Sequence, residues 1–242
     1  MSGISAPSRS PLEEMWATAA PYLSKPLAAC LAIIPVNHGF EVKSAQQIGE
    51  PMPKLNWAAL RRSCSAAPLA GSAIGLQMAA QGVLEKVLNK DAKELSYSAK
   101  LTSSTVVGTL SAPGYIVLNG HFLKMSPREA LKGSSFRQVA AISGRESLFV
   151  LSLSLSTPLA IRMRQEFGDR PVITTSAAFL SGAVGSLAGH GFDTWLTCEQ
   201  KKVAIESIRS LGRGAPIKAL ATGVFAVLYS HIEQSLDPET FE

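Results

Sequence analysis

Charge is scarce in this chain. Asp, Glu, Lys and Arg make up 17% of its 242 residues, where a soluble domain carries about a quarter. Cysteine is scarcer still. Cys30, Cys64 and Cys198 are the only three, an odd and widely spaced set with no Cys-x-x-Cys, which argues against a disulfide framework and a zinc site. No Gly-x-Ser-x-Gly elbow, phosphate-binding Gly-Lys-Ser/Thr loop or His-Glu-x-x-His pair occurs. Enzyme chemistry therefore finds no support, and no metal or cofactor is expected. No Pro/Gly/Ser-rich linker divides the chain, so a single domain is expected. The first 25 residues lack the apolar core of a signal peptide, being interrupted by Pro7, Pro11, Glu13, Glu14 and Pro21.

Apolar residues are plentiful, at 46%. They gather in six segments, roughly 22–42, 65–89, 95–123, 138–163, 172–197 and 215–234, each reaching the ~20 residues that cross a bilayer as a helix. None is a clean apolar block, and a large soluble helical bundle is the competing reading. The distribution of charge separates the two. By count of Lys, Arg, Asp and Glu, residues 43–65, 119–137 and 196–218 each carry +3, whereas the connections and termini between them sum to −2. Six spans with both termini on one face produce that sorting under the positive-inside rule; a soluble bundle gives no reason for it. The net charge of +5 thus suits a membrane surface or an anionic solute, not nucleic acid.

The chain also repeats itself. His38-Gly39-Phe40-Glu41 returns as His190-Gly191-Phe192-Asp193, 152 residues later. Half of that interval, 76, separates Arg61, Arg137 and Arg213, each opening an apolar segment. Small residues at four-residue steps, Ser104-Gly108-Ala112 and Ser181-Gly185-Gly189, permit close helix packing of the kind that dominates in membranes. Three degenerate units of about 76–80 residues are expected.

Three such units, each a helix, a short surface helix and a second helix, resemble the mitochondrial carrier family (solute carrier family 25), over about Tyr22 to Leu236. The resemblance implies an all-α fold of six transmembrane helices in three pseudo-repeats around a central cavity. It divides the chain into a tail at 1–21, repeats at about 22–93, 94–170 and 171–236, and a tail at 237–242. In the family each odd helix ends in Pro-x-Asp/Glu-x-x-Lys/Arg followed by Gln, the Pro kinking the helix and the charges forming a gate. Unit three has Gly191, Asp193, Leu196 and Gln200; unit two has Pro113, Tyr115 and Leu118. Unit one aligns in either of two ways. Pro35 is the kink with Asn37 as the acid, or Glu41 is the acid with Gly39 in place of Pro and Ser44 in place of the base. Glu41, Asp193 and Gln200 are the gate residues so implied, and Pro35 and Pro113 the kinks. Polar helix ends at the interface are the plainer reading of Glu41 and Asp193, and structural hydrogen bonding that of His38 and His190. Ser126-Pro127-Arg128-Glu129 reads as the start of a surface helix with Ser126 as N-cap. Trp57–Arg62 fits the same slot in unit one, and Lys202–Arg209 in unit three as an amphipathic helix. Ser210–Gly214 looks like the family's basic-Gly turn.

Ionisable residues inside a span mark a pathway or a binding site by default. Arg145 and Glu146 in the fourth segment are such a pair, Arg145 suited to a carboxylate and Glu146 to a cation or amino group. The alternative is that the two are solvated or paired near a surface. Ala70 and Thr222 are among their uncharged counterparts 76 residues away, and the spacing puts them at the same site. The resemblance implies a carrier that moves a small charged metabolite, amino-acid-like or a carboxylate, by alternating access across the mitochondrial inner membrane or another organelle membrane, with membrane lipid around it. The alternative is a transport-inactive adaptor or scaffold of an organelle membrane.

Overall fold

The structure, a computed structural model, describes residues 10–88, 97–168 and 170–236. Residues 1–9, the expected repeat boundary at 93/94 and the tail at 237–242 lie outside these. Among the described residues every regular element is helical. They are α1 (Pro11–Ile48), α2 (Trp57–Leu88), α3 (Tyr97–Leu110), α4 (Ala112–Phe122), α5 (Pro127–Lys132), α6 (Phe136–Ser154), α7 (Ser156–Phe167), α8 (Pro171–Ala188), α9 (His190–Lys201) and α10 (Ala215–Leu236), with a 3-10 turn at Ile208–Gly212 before the last.

Several helices run end to end, so the apolar segments appear as long rods. The helix pair α3 and α4 bends by 61° at the break between them, where Pro113 occupies the first turn of α4 and cannot continue a hydrogen-bond ladder from α3. At the other expected kink, Pro35, α1 continues without a break in its helical run. It also starts at Pro11, inside the stretch read as a tail. Among the described residues three stretches are long and apolar enough to cross a membrane, Phe136–Phe167, Pro171–Ala188 and Ile208–Leu236, and the bent α3–α4 pair makes a fourth if it is one span.

Packing follows a circuit. α1 lies against α2 and α10, α10 against α8, α8 against α6, α6 against α3, and α3 against α2. Small residues set the approach. A β-carbon at Gly108 of α3 would stand 2.8 Å from the Ser147 backbone nitrogen of α6, and one at Gly75 of α2 would stand 2.5 Å from Pro26 Cα of α1. Glycine is what lets these backbones meet, the role expected for the small-residue steps.

Three helix ends share one geometry. At the end of α1, Gly49 takes φ +72 and Glu50 N–H donates to Ala45 O at 2.9 Å. Past α4, Lys124 takes φ 58 and Met125 N–H donates to Gly120 O at 2.8 Å. Past α9, Lys202 takes φ 55 and Val203 N–H donates to Cys198 O at 2.9 Å. Each is a left-handed residue followed by a bond back across six residues, which caps the last carbonyls of the helix. Two of the three use lysine where glycine is the easy choice, so their sequences do not announce the cap.

The connections after these caps differ from expectation in two places. The expected helix at Ser126 is present: Ser126 accepts from Glu129 N–H and the Glu129 carboxylate accepts from Ser126 N–H, closing a capping box at α5. Those bonds hold the Glu129 carboxyl below its usual range. Trp57–Arg62, in contrast, is the first turns of α2 and not a separate helix. Lys202–Arg209 is not an amphipathic helix either. Its backbone is committed to the cap at Lys202, and only from Ile208 does it turn, as a 3-10 segment held by Ser210 Oγ donating to Ser207 O at 2.6 Å.

Candidate functional site

A cavity of about 680 Å³, counting its open mouth, lies at the centre of the circuit. α1, α2, α4, α6, α8, α9 and α10 all contribute to its wall. Most of that wall is apolar: Ile33, Phe40, Ile74, Leu118, Phe122, Phe149 and Phe225. Against it stand five ionisable side chains, Lys43, Arg145, Glu146, Asp193 and Lys218, each less than a tenth exposed.

Asp193, in the first turn of α9, is the hub. Its Oδ2 accepts from Lys43 Nζ of α1 at 2.8 Å and from the Gln47 amide at 3.0 Å, and lies 3.5 Å from Lys218 Nζ of α10. Its Oδ1 accepts from Arg145 of α6 at 2.8 Å. Arg145 also donates from Nε to Glu146 Oε1 at 2.6 Å and stands over the Tyr115 ring, 5.3 Å from its centroid. Glu146 Oε2 accepts from the Gln77 amide at 3.3 Å, and Gln77 in turn accepts from the Tyr115 hydroxyl at 2.6 Å. One connected set of polar bonds thus links α1, α2, α4, α6, α9 and α10. Buried charges persist only with such partners.

The segment before α10 braces the hub from below. Gly214 takes φ +80, and a β-carbon there would stand 3.0 Å from the Lys43 carbonyl. His190 Nε2 lies 2.9 Å from Arg213 O, and Thr194 Oγ1 donates to Leu211 O at 3.0 Å. The basic-Gly stretch expected from the sequence therefore supports both α1 and α9.

The sequence candidates divide. Arg145, Glu146 and Asp193 meet in the hub, and Thr222 lines the cavity, its hydroxyl donating to Lys218 O at 2.8 Å. Ala70 does not reach the cavity; it is buried in the apolar core, and Ile74, one turn on, takes the wall position. Gln200 braces α9 to α4, accepting from the Asn119 amide at 2.7 Å and donating to Ile116 O at 2.9 Å. Glu41 stands apart from Asp193. It receives both Nε and Nη2 of Arg62, each at 2.9 Å, and so ties α1 to α2. His38 Nδ1 lies 3.8 Å from Glu41.

Aligning the three rods on their left-handed caps explains the split. Gly49, Lys124 and Lys202 are 75 and 78 residues apart. Counting back equally from each cap groups Phe40 with Tyr115 and Asp193, Lys43 with Leu118 and Leu196, and Gln47 with Phe122 and Gln200. The members of the first group all line the cavity. By this count the residue equivalent to Tyr115 and Asp193 in the first rod is Phe40, three residues after Asn37 and one before Glu41. The His-Gly-Phe echo is off by a single residue, since cap-to-cap the interval is 153 and not 152. One residue is about 100° of helix rotation, enough to turn Glu41 towards α2.

Lys43 and Lys218 line the cavity too, and no sequence motif marks them: they fall within the basic stretches 43–65 and 196–218, whose charge reads as that of connections. Among the described residues no cluster of His, Cys, Asp and Glu could hold a metal ion. In comparison with known proteins, the chain matches no family model and no curated protein.

Proposed function

We propose that the protein is a membrane carrier that moves a small charged solute through the central cavity by alternating access. The observation that carries this reading is the hub at Asp193. It gathers ionised groups from α1, α6, α9 and α10 at the cavity wall, so that one set of bonds holds four rods together. Breaking that set would release the rods from one another, which is what a gate must do. A scaffold needs no such arrangement, because buried ion pairs contribute little net stability compared with apolar packing.

The architecture that fits is the carrier-like one: six spans in three units, with the three capped corners and the basic connections on one face. Within that reading, Lys43 and Gln47 restore to unit one the base and the Gln of the corner pattern. Asp193 then finds its base on α1, not on its own helix. An organelle membrane, the mitochondrial inner membrane first, is the proposed location.

The test is uptake. The protein is reconstituted in liposomes with pools of labelled amino acids, nucleotides and carboxylates, beside Arg145→Ala and empty vesicles. Uptake by the wild type that falls to the empty-vesicle level in the variant supports carriage. A folded wild type that takes up nothing from any pool overturns it and leaves the adaptor reading standing.

A further inference from the structure

The charges around the cavity do not balance. Three buried cations, Lys43, Arg145 and Lys218, face two buried anions, Asp193 and Glu146. Lys43 and Arg145 each sit at hydrogen-bond distance from a carboxylate, at 2.8 Å and closer. Lys218 does not. Its nearest partner among the described residues is Asp193 Oδ2 at 3.5 Å, an oxygen that already accepts from Lys43 and Gln47. Lys218 is 7% exposed and lines the cavity. A buried ammonium with only a share in an occupied oxygen is short of an acceptor.

The anions, by contrast, are already engaged. Both oxygens of Asp193 and both of Glu146 accept from Lys43, Gln47, Arg145 or Gln77. A solute ammonium entering the cavity would have to share a carboxylate that a buried cation already holds. The remainder of the wall is largely apolar, with Phe122, Phe149 and Phe225 among its larger members and Tyr115, Asn119, Ser186 and Thr222 as its uncharged polar ones.

We infer that the cavity binds an organic monoanion with an apolar body, its carboxylate on Lys218 and its hydrocarbon part against the phenylalanines. This deepens the carrier reading and, as regards transport, rests on it. One negative charge neutralises the cluster; two would reverse its sign inside a low-dielectric wall. The surplus therefore selects against dicarboxylates, zwitterions and cations alike.

The experiment measures binding to the purified full-length protein in detergent by calorimetry and by the shift in Tm. The probes are 3-phenylpropanoate, its amide, 3-phenylpropylamine, phenylalanine and succinate. The expected result is binding by 3-phenylpropanoate at least about tenfold tighter than by any other member of the panel, the scale of one charge-assisted hydrogen bond. Lys218→Met is expected to abolish that preference, and Phe149→Ala to weaken 3-phenylpropanoate while keeping its lead over the amide. Equal binding of acid and amide overturns the inference. So does tighter binding of phenylalanine, the amine or succinate, or no binding by any probe. The wild-type panel decides even if a variant fails to fold. Labelled 3-phenylpropanoate in proteoliposomes separates the two readings. Binding without uptake overturns carriage alone, while uptake of a dicarboxylate or cation overturns the monoanion alone.

Discussion

Replacing Asp193 by asparagine keeps the side chain's shape and removes its charge. Lys43, Arg145 and Lys218 would then share the cavity wall with Glu146 as their one remaining anion, and Glu146 reaches only Arg145 among them. Removing one partner of a buried ion pair costs about 3–5 kcal/mol, because the charge left behind is uncompensated. In a domain of 150–250 residues each kcal/mol moves Tm by about 2–4 °C, so Asp193→Asn is expected to lower Tm by roughly 6–20 °C. Tryptophan fluorescence in detergent follows the transition. Lys43→Met is expected to lose less, since Arg145 and Lys218 still serve Asp193. The double variant Asp193→Asn/Lys43→Met restores the wild-type surplus of one positive charge, so its loss should fall short of the two single losses added together. Coupling of 0.5–3 kcal/mol is usual for groups in one network. A Tm change below about 2 °C for Asp193→Asn, or a double variant at or beyond the sum, refutes the hub.

Other perturbations rank against that one. Glu41→Gln breaks a pair whose arginine is 37% exposed; it is expected to cost no more than about 1 kcal/mol, the scale of surface ion pairs, and a loss matching that of Asp193→Asn in the same melt would contradict its lateral placement. Gly75→Leu forces a side chain against Pro26 and is expected to destabilise by at least the 1–3 kcal/mol typical of overpacking, seen as a lower Tm; an unchanged melt would mean that α1 and α2 do not meet there. Gly214→Ala places a β-carbon at positive φ and 3.0 Å from the Lys43 carbonyl, with an expected cost of about 1–3 kcal/mol, and it should be less harmful in a Lys43→Met background only if the strain is passed to that side chain. Membranes washed in alkaline carbonate should retain the chain in the pellet, and release into the supernatant would contradict the spans.

The helical, apolar character of the chain was legible because burial in lipid or core demands long apolar runs, and composition alone reports those. The rotations of its helices were not. The echo at 38–41 and 190–193 located the corner within one residue, yet a slip of one residue moves a side chain about 100° around the axis. Glu41 therefore faces Arg62 of α2 while its neighbour Phe40 lines the cavity, and Lys43, beside Ser44, does so too. The helix ends would have corrected this had they been readable. Gly49 announces its cap, but Lys124 and Lys202 adopt the same left-handed turn with a residue that rarely does. Lys218 left a different signal. It stands alone at the head of a run, 219–232, that contains no other charge. Counting it with the preceding loop conceals a cation that shares the Asp193 carboxylate from 3.5 Å, farther than Lys43 or Arg145.

That shared carboxylate ties stability to the proposed function. The Asp193 network holds α1, α6, α9 and α10 together, and an isolated cation in a dry wall is costly, so the rods cannot part unless something replaces what Asp193 supplies. A solute carboxylate on Lys218 is such a replacement. It would take the most distant cation out of Asp193's field and leave Lys43 and Arg145 balanced against Asp193 and Glu146. A ligand shifts an equilibrium only by its differential affinity for the two states. On the carrier reading, then, the solute must bind more tightly with the hub loosened than with it closed. Loosening the hub by mutation should raise apparent affinity accordingly, since less of the binding free energy goes into opening it. Gln47→Leu is the variant to use, because it removes a neutral donor from Asp193 and so weakens the closed hub while keeping Lys218 and the surplus positive charge. It is expected to bind 3-phenylpropanoate more tightly than the wild type even as its Tm falls. Weaker binding in a folded Gln47→Leu protein would separate the hub from the site and remove the basis for calling it a gate.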